Sequence, residues 1–328
     1  MSFEEDHEHT IFGNREYLRF KYHFDYFSAY AIVSLIYSIP ATVCMLKMIY
    51  FFVKKHKILS ENNLNADLFR QFLVMQTLCL LHVIIDFLVS RIPNTGILTA
   101  WCASERPNRI LRILTFLQYS IIYSKYFAII LFCVMRVFLL ATNGFLKERV
   151  GFYLTYLTPF FISVAVIVAL PRFLNKATCT QLGVPYPHGA IMVMSLIDDD
   201  AKITPLPMII EMLIDPSVLI TILSLNFVMF LKLQQSRHLS TVTRRKHNSK
   251  AEKVFTVTMA LLALPVVINI SIALFEFFDD FSYYVYLVRP ISIDAQSHVI
   301  TCYFYSTHPI FKKKIVSLVT VKSCTSGH

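Results

Sequence analysis

Long apolar runs alternate along the chain with short connections that carry charges or proline. A helix that crosses the roughly 30 Å hydrocarbon layer of a bilayer needs about 20 predominantly apolar residues. Runs of this length predict seven membrane-spanning helices that form one bundle. The predicted segments cover residues 27–53, 69–90, 111–140, 152–170, 207–231, 254–278 and 283–305.

Acidic residues and prolines interrupt two of these segments. Glu211, Asp215 and Pro216 stand in the fifth, and Pro290 and Asp294 stand in the seventh. Neighbouring helices or waters can satisfy the carbonyl that a proline frees inside a membrane helix, so both segments are retained. The expected fold class is therefore all-α, a seven-transmembrane helix bundle.

The composition supports a membrane protein and disfavours a nucleic-acid partner. With 55% hydrophobic and 16% charged residues, the 328-residue chain is too apolar for a soluble globular domain. Its net charge of +10 is spread over the connections between apolar segments and does not form one basic face. Membrane topology explains this charge better than nucleic-acid binding, and the lipid bilayer is the expected surrounding.

The distribution of Lys and Arg predicts the orientation. These residues concentrate in the connections that face the cytoplasm when the N-terminus lies outside, above all between the fifth and sixth segments. The prediction is a multi-pass plasma-membrane protein with residues 1–26 extracellular, the bundle over 27–305 and a cytoplasmic tail over 306–328. Arg91 follows the second segment and is assigned to the outer side.

Two cysteines stand in connections on the predicted outer side. Cys102 precedes the third segment and Cys179 follows the fourth, and an oxidising compartment would allow them to form a disulfide. The alternative is two free surface thiols. The cysteines inside predicted helices are interpreted as small packing residues. They are Cys44, Cys79, Cys133 and Cys302.

The tail carries a short amphipathic pattern. Phe311, Ile315 and Leu318 repeat at helical spacing beside consecutive lysines, which predicts a short C-terminal helix on the inner membrane surface. Cys324 follows this helix and is a candidate for palmitoylation.

Polar residues at membrane depth are costly, so they tend to face the interior of a bundle. Helical spacing places Gln118, Lys125 and Arg136 on one stripe of the third segment, and Asp294 and His298 on one face of the seventh. Together with acidic residues of the second and sixth segments they predict a cavity for a small-molecule ligand. The candidate ligand-binding residues are Asp86, Gln118, Lys125, Glu276, Asp294 and His298.

Other roles for these residues stay open. Lys125 could form an internal ion pair with Asp86 or Asp294 that only holds helices together. A transporter or ligand-gated channel could use the same intramembrane carboxylates and Lys125, although the sequence has no internal repeat. An enzyme is not expected, since metal-binding His-x-x-x-His and nucleophilic Gly-x-Ser-x-Gly patterns are missing. No cofactor or metal is predicted.

Four short motifs resemble a known receptor family. They are Tyr-Ser-Ile-Pro at 37–40, Arg-Ile-Pro at 91–93, Ala-Glu-Lys-Val-Phe at 251–255 and Tyr-Ser-Thr-His-Pro at 305–309. Together they resemble nematode serpentine chemoreceptors of the Srg superfamily, of the Srg or Srv class. The resemblance implies a fold like that of G-protein-coupled receptors, an external N-terminus, detection of small molecules in sensory neurons and signalling through a heterotrimeric G protein.

The resemblance also implies roles for cytoplasmic residues. Arg136 matches the arginine at the end of the third helix that contacts the G protein in many such receptors, although Met135 stands where an acidic residue is usual. Arg244 and Arg245 in the third cytoplasmic loop are further candidates for coupling. Pro265 fits the proline about which the sixth helix bends, so movement of that helix is the expected signalling step.

Overall fold

A computed structural model describes the protein over most of its length. The described residues are 10–61, 66–104, 108–141, 145–196, 206–239, 257, 258, 262, 267, 271, 282–307 and 311. Within these ranges the chain is mainly helical. The helices are α1 (Arg15–Leu18), α2 (Tyr26–Glu61), α3 (Ala66–Asp86), α4 (Ile92–Asn94), α5 (Thr99–Ser104), α6 (Asn108–Ala141), α7 (Phe145–Leu174), α8 (Leu206–Leu239), α9 (Ser282–Asp294) and α10 (Ile300–Thr307).

Among the described residues, two π-helical turns interrupt this pattern without breaking the helices. The turn π1 (Phe87–Arg91) joins α3 to α4, and π2 (Ala295–Val299) joins α9 to α10. In a π turn the backbone N–H bonds five residues back along the chain, and such turns are frequent at functional sites. Here both turns adjoin the buried ion pairs of Arg91 with Asp86 and Asp294.

Long apolar helices confirm the membrane bundle that the sequence predicts. Among the described residues, five helical stretches are long and apolar enough to cross a bilayer. They are Tyr26–Lys54, Ala66–Asn94, Arg109–Leu139, Tyr156–Leu174 and Met212–Lys232. The sixth predicted segment, 254–278, lies outside the described residues except at isolated positions, and the seventh corresponds to the continuous helix from α9 to α10.

The second and third of these stretches form the centre of the bundle. Their most apolar windows are 56% and 67% buried, compared with 17–22% for the other three. The outer faces of α2, α7 and α8 expose many large apolar side chains, including Ile32, Phe160 and Phe227. An exposed apolar surface of this extent would be a liability in water but is suited to contact with lipid chains.

An aromatic core joins the helices at one end of the bundle. Phe69 and Phe72 of α3, Phe132 of α6 and Phe304 of α10 are all fully buried. The rings of Phe72 and Phe304 stack with centroids 4.0 Å apart, and those of Phe72 and Phe132 lie 5.9 Å apart. Phe311 of the predicted tail helix also packs here, whereas the remainder of that helix and Cys324 lie outside the described residues.

A β-hairpin covers the opposite end, which we call the hairpin end. Strands β1 (Lys176–Gln181) and β2 (Ile191–Leu196) pair antiparallel in the connection after α7. The hydrophobic pattern predicts no strand here, because six-residue strands in a connection are much shorter than the membrane segments that dominate the pattern. A disulfide joins Cys102 of α5 to Cys179 of β1. Thr10 extends the hairpin through an isolated bridge to Thr180.

The segment before α2 closes over this hairpin. The Ile11 amide donates to the Cys179 carbonyl at 3.2 Å, and the Ile11 side chain is buried beside the disulfide. The rings of Tyr17 and His188 stack with centroids 5.0 Å apart. These contacts make residues 10–25 a structured cap on the hairpin end.

Replacing Gly189 by alanine should destabilise this cap. Gly189 has φ +91°, and a Cβ atom there would overlap the ring of Phe20. Alanine disfavours positive φ, so we expect a loss of at least about 1 kcal/mol in the free energy of unfolding. Gly13 is the matched control, because its φ of +74° is also positive but nothing lies within 4 Å of its Cβ position. Equal melting temperatures for G189A and G13A in detergent would contradict the packing argument.

Candidate functional site

A buried arginine connects three helices in the half of the bundle nearest the hairpin. Arg91 closes the π1 turn, and its side chain is 1% exposed. In an α-helix residues five apart point in different directions, but a π turn brings them closer to alignment. Arg91 therefore reaches back to Asp86, with 3.0 Å between Nε and Oδ2. Pro93 has no N–H to offer the Val89 carbonyl, which favours a rearranged turn at this point.

The guanidinium group of Arg91 binds a second carboxylate from the seventh helix. Nη2 lies 2.7 Å from Oδ1 of Asp294, and Nη1 lies 2.9 Å from Oδ2. This two-point geometry is the strong form of an arginine–carboxylate contact. Ser34 and Tyr37 of α2 complete the arrangement, since the Ser34 hydroxyl accepts from Arg91 and the Tyr37 hydroxyl donates to Asp294. We call Ser34, Tyr37, Asp86, Arg91 and Asp294 the Arg91 network.

His298 extends the network by one turn along the seventh helix. Its Nε2 atom lies 2.9 Å from the Ser38 hydroxyl and 3.8 Å from Oδ1 of Asp294. Its ring meets the edge of Tyr37 with centroids 5.6 Å apart. His298 Nδ1 and Asp86 Oδ1 are buried atoms with no hydrogen-bond partner among the described residues.

A second polar pair lies deeper in the bundle. The Nζ atom of Lys125 on α6 is 3.1 Å from Nδ1 of His82 on α3, and both side chains are fully buried. Lys125 as an ammonium group can only donate, so this contact assigns Nδ1 as the acceptor and the His82 proton to Nε2. In the described part of the chain Nε2 has no hydrogen-bond partner. Lys125 also lies 5.2 Å from the ring centre of Tyr126.

The structure unites some of the predicted ligand-binding residues and separates others. Asp86, Asp294 and His298 meet around Arg91, while Lys125 pairs with His82 instead of with either carboxylate. The sequence allowed an ion pair of Lys125 with Asp86 or Asp294. In the structure both carboxylates pair with Arg91 instead. Gln118 is buried on the same helix as Lys125. Glu276 lies outside the described residues.

Arg91 is the site residue that the sequence pattern did not single out. It follows the last apolar residues of the second segment and counts there only as a charge of the outer side, whereas the structure buries it within the bundle at 2% exposure. The signal was its position five residues after Asp86 and two before Pro93. Residues five apart do not contact each other in an α-helix, so the pairing of Asp86 with Arg91 can be recognised only once the π turn is known.

Of the predicted coupling residues the structure describes Arg136. Arg136 is in the last turns of α6 and is 3% exposed. Arg244 and Arg245 lie outside the described residues. No group of three or more His, Cys, Asp and Glu side chains that could hold a metal ion occurs in the ranges that the structure covers.

A small cavity lies beside the Arg91 network, beneath the hairpin. Its volume is about 10 Å³, which is close to the space that one water molecule requires. Tyr186 of the hairpin forms part of the wall, and burial raises the pKa of its phenol to about 12, so the hydroxyl stays neutral at physiological pH. The lining residues are Phe27, Tyr30, Arg91, Asn94, Tyr186, Leu287 and Pro290.

Comparison with known proteins gives a consistent result. The sequence profile described as "Serpentine type 7TM GPCR chemoreceptor Sru" matches residues 11–314. A Caenorhabditis elegans protein named "Serpentine receptor class U-26" is 29% identical over 249 residues, which cover 76% of this chain and 84% of that protein. The resemblance to serpentine chemoreceptors is confirmed. The class that matches is Sru, and the Srg or Srv class suggested by the short motifs is not confirmed.

Proposed function

Because the chain belongs to the Sru family of serpentine seven-transmembrane chemoreceptors, we propose that it binds a small molecule inside the hairpin half of its bundle and activates a heterotrimeric G protein at the opposite end. The chain is a multi-pass membrane protein. Its proposed location is the plasma membrane, with residues 1–26 extracellular and 306–328 cytoplasmic.

The Arg91 network is the observation that carries this proposal. One cation holds two carboxylates from different helices, and α2 contributes two hydroxyl groups to the same cluster. Charge-assisted bonds between buried groups are strong, but they depend on close geometry. A ligand that competes for one bond changes how the first, second and seventh helices fit together. Such a cluster can convert binding at one end of a bundle into helix movement.

The disulfide supports the proposed orientation. Cys102 and Cys179 lie at the hairpin end, together with the cap formed by residues 10–25. Disulfides persist in extracellular and other oxidising surroundings and are rare in the cytosol. The basic connection between the fifth and sixth segments follows α8, which runs away from the hairpin. This charge distribution agrees with a cytoplasmic location for the opposite end.

Arg136 is the proposed contact for the G protein. At 3% exposure it is not open to a partner in this conformation, so coupling requires a neighbouring helix to move. Bending of the sixth helix at Pro265 is the movement that we propose. The aromatic core around Phe72 and Phe304 includes Phe132, which lies one helical turn before Arg136, and it offers a packed path for such a movement.

Replacing Arg136 by alanine should abolish signalling without removing the receptor from the cell surface. The test begins with a screen of small volatile molecules on cells that express the receptor with a G-protein reporter. An activating compound should then stimulate nucleotide exchange at least about tenfold less in R136A, which corresponds to about 1.4 kcal/mol or more.

The matched control is Arg109→Ala, which removes an exposed arginine at the opposite end of the same helix. R109A should signal as the wild type does. Normal signalling by R136A at equal surface expression would exclude the proposed role of Arg136. Accumulation of the activating compound inside sealed vesicles would instead favour a transporter.

A further inference from the structure

The cavity beside Arg91 offers two hydrogen-bond donors that the protein itself uses little. The Tyr30 hydroxyl is buried and has no hydrogen-bond partner among the described residues. Nη2 of Arg91 donates one N–H to Asp294 at 2.7 Å, and its other hydrogen bond within the described residues is to the Pro290 carbonyl at 3.4 Å. That distance is beyond the usual range for a good N–H···O bond. An oxygen atom in the cavity could accept from both groups.

Asn94 adds no third donor. With its amide group oriented to satisfy its surroundings, the nitrogen donates to the Ser90 carbonyl at 3.0 Å and to the Ile191 carbonyl at 3.1 Å. Both of its N–H bonds are therefore in use. The cavity presents Tyr30 and Arg91 as donors beside a mainly apolar wall, the usual character of a site for a small organic ligand.

The charges around the cavity favour a neutral ligand. The Arg91 guanidinium in the wall disfavours a cation, and because Asp86 and Asp294 already neutralise its charge, it attracts an anion only weakly. Phe27 and Tyr186 stack with ring centroids 4.6 Å apart and provide apolar surface for an alkyl group. A carbonyl oxygen is neutral and can accept two hydrogen bonds.

We infer that this cavity is the closed form of a binding site for small neutral carbonyl compounds, whose oxygen accepts from Tyr30 and Arg91 and whose alkyl chain lies against Phe27, Tyr186 and Leu287. The inference rests on the proposed function, since it names the ligand class and the place of the receptor site. The sequence predicts a ligand cavity around Lys125. The site inferred here lies instead where the first, second and seventh helices contact the hairpin.

The size of the cavity requires an opening step. A volume of about 10 Å³ holds the oxygen atom alone. The alkyl chain needs additional space, and the stacked pair of Phe27 and Tyr186 must separate to provide it. Because Tyr186 belongs to the connection between β1 and β2, binding displaces the hairpin relative to α2. The bound oxygen also takes a donor from the guanidinium that holds Asp294, which links binding to the Arg91 network.

Direct binding to the purified full-length receptor in lipid nanodiscs tests this inference. The probes are a series of 2-ketones from 2-butanone to 2-octanone, with hexane, hexanoate and hexylamine for comparison. Saturation-transfer NMR detects contact with the protein and ranks the affinities. We expect at least one ketone to bind more tightly than all three comparison compounds.

Three variants locate the site. Tyr30→Phe removes only the unpartnered hydroxyl and should weaken ketone binding about fivefold, as expected for one neutral hydrogen bond. Tyr26→Phe is the matched control, because Tyr26 lies on the same helix and is 70% exposed. Leu287→Trp fills the cavity and should weaken binding at least about tenfold. Melting temperatures of all three variants establish that they are folded.

The outcomes separate this inference from the proposed function. Ketone selectivity that is lost in Y30F and L287W but kept in Y26F supports the site. Equal binding of hexane, tighter binding of hexanoate or hexylamine, no binding of any ketone, or an unchanged affinity in Y30F overturns it. A ketone that binds at this site without activating a G protein supports the site and contradicts the proposed function. Activation by another compound that L287W leaves unchanged overturns the site alone.

Discussion

Replacing Arg91 by alanine should prevent the receptor from folding stably. The change leaves Asp86 and Asp294, both almost fully buried, without their cation. Removing one partner from a buried ion pair typically costs about 3–5 kcal/mol, which is a large part of the roughly 5–15 kcal/mol that stabilises a whole domain. Yield and melting temperature in detergent, followed by fluorescence-detected size-exclusion chromatography, measure the effect.

Three comparisons test the physical reason for this result. Arg19→Ala removes an exposed arginine from the hairpin end and should leave the melting temperature unchanged. Neutralising both carboxylates in the R91A background, with Asp86→Asn and Asp294→Asn, should recover part of the lost stability, because the unpaired buried charges are gone. A lysine at position 91 should recover less, since it cannot bind Asp294 at two points. Wild-type stability of R91A would contradict the network.

Removing the disulfide should produce the second large effect. Cys102 and Cys179 are 77 residues apart in sequence, and their bond joins α5 to β1 within a buried cluster that includes Ile11. Loss of a disulfide that closes a long loop typically costs about 2–4 kcal/mol. The double variant Cys102→Ser, Cys179→Ser should therefore melt at a lower temperature and lose the ordered cap.

Reductant provides an independent form of the same experiment. Dithiothreitol should lower the melting temperature of the wild type and leave that of the double variant unchanged. Cys44→Ser is the control, since Cys44 is a free and half-buried thiol of α2. Mass spectrometry of protein prepared without reductant should find Cys102 and Cys179 linked. Alkylation of both thiols in the native protein would contradict the bond.

The residues that the sequence places inside the bundle illustrate what patterns can predict. Charged groups at membrane depth face away from lipid, so the sequence predicts inward positions for Asp86, Lys125, Asp294 and His298. All four are buried in the structure. Their placement depends on helical periodicity alone. It needs no information about which helices are neighbours.

The partners of these residues could not be predicted in the same way. Lys125 has two buried carboxylates within the same bundle, yet it contacts His82, while Arg91 takes both carboxylates. The choice depends on the π1 turn, which brings a residue from the boundary of an apolar run into the interior. Local propensity hardly distinguishes a π turn from the α-helix around it, so the sequence pattern carries no clear signal for this change.

The sequence by itself determined the class of the molecule, its long apolar helices and the inward positions of Asp86, Lys125, Asp294 and His298. These follow from the thickness of the bilayer and the cost of charge within it, and both act on each helix separately. Only the tertiary structure decided that Arg91 is the central cation, that a hairpin and residues 10–25 cover one end, and that the cavity lies between α2, α9 and the hairpin. Those features depend on contacts between segments far apart in the chain, where geometry selects one partner among several of suitable chemistry.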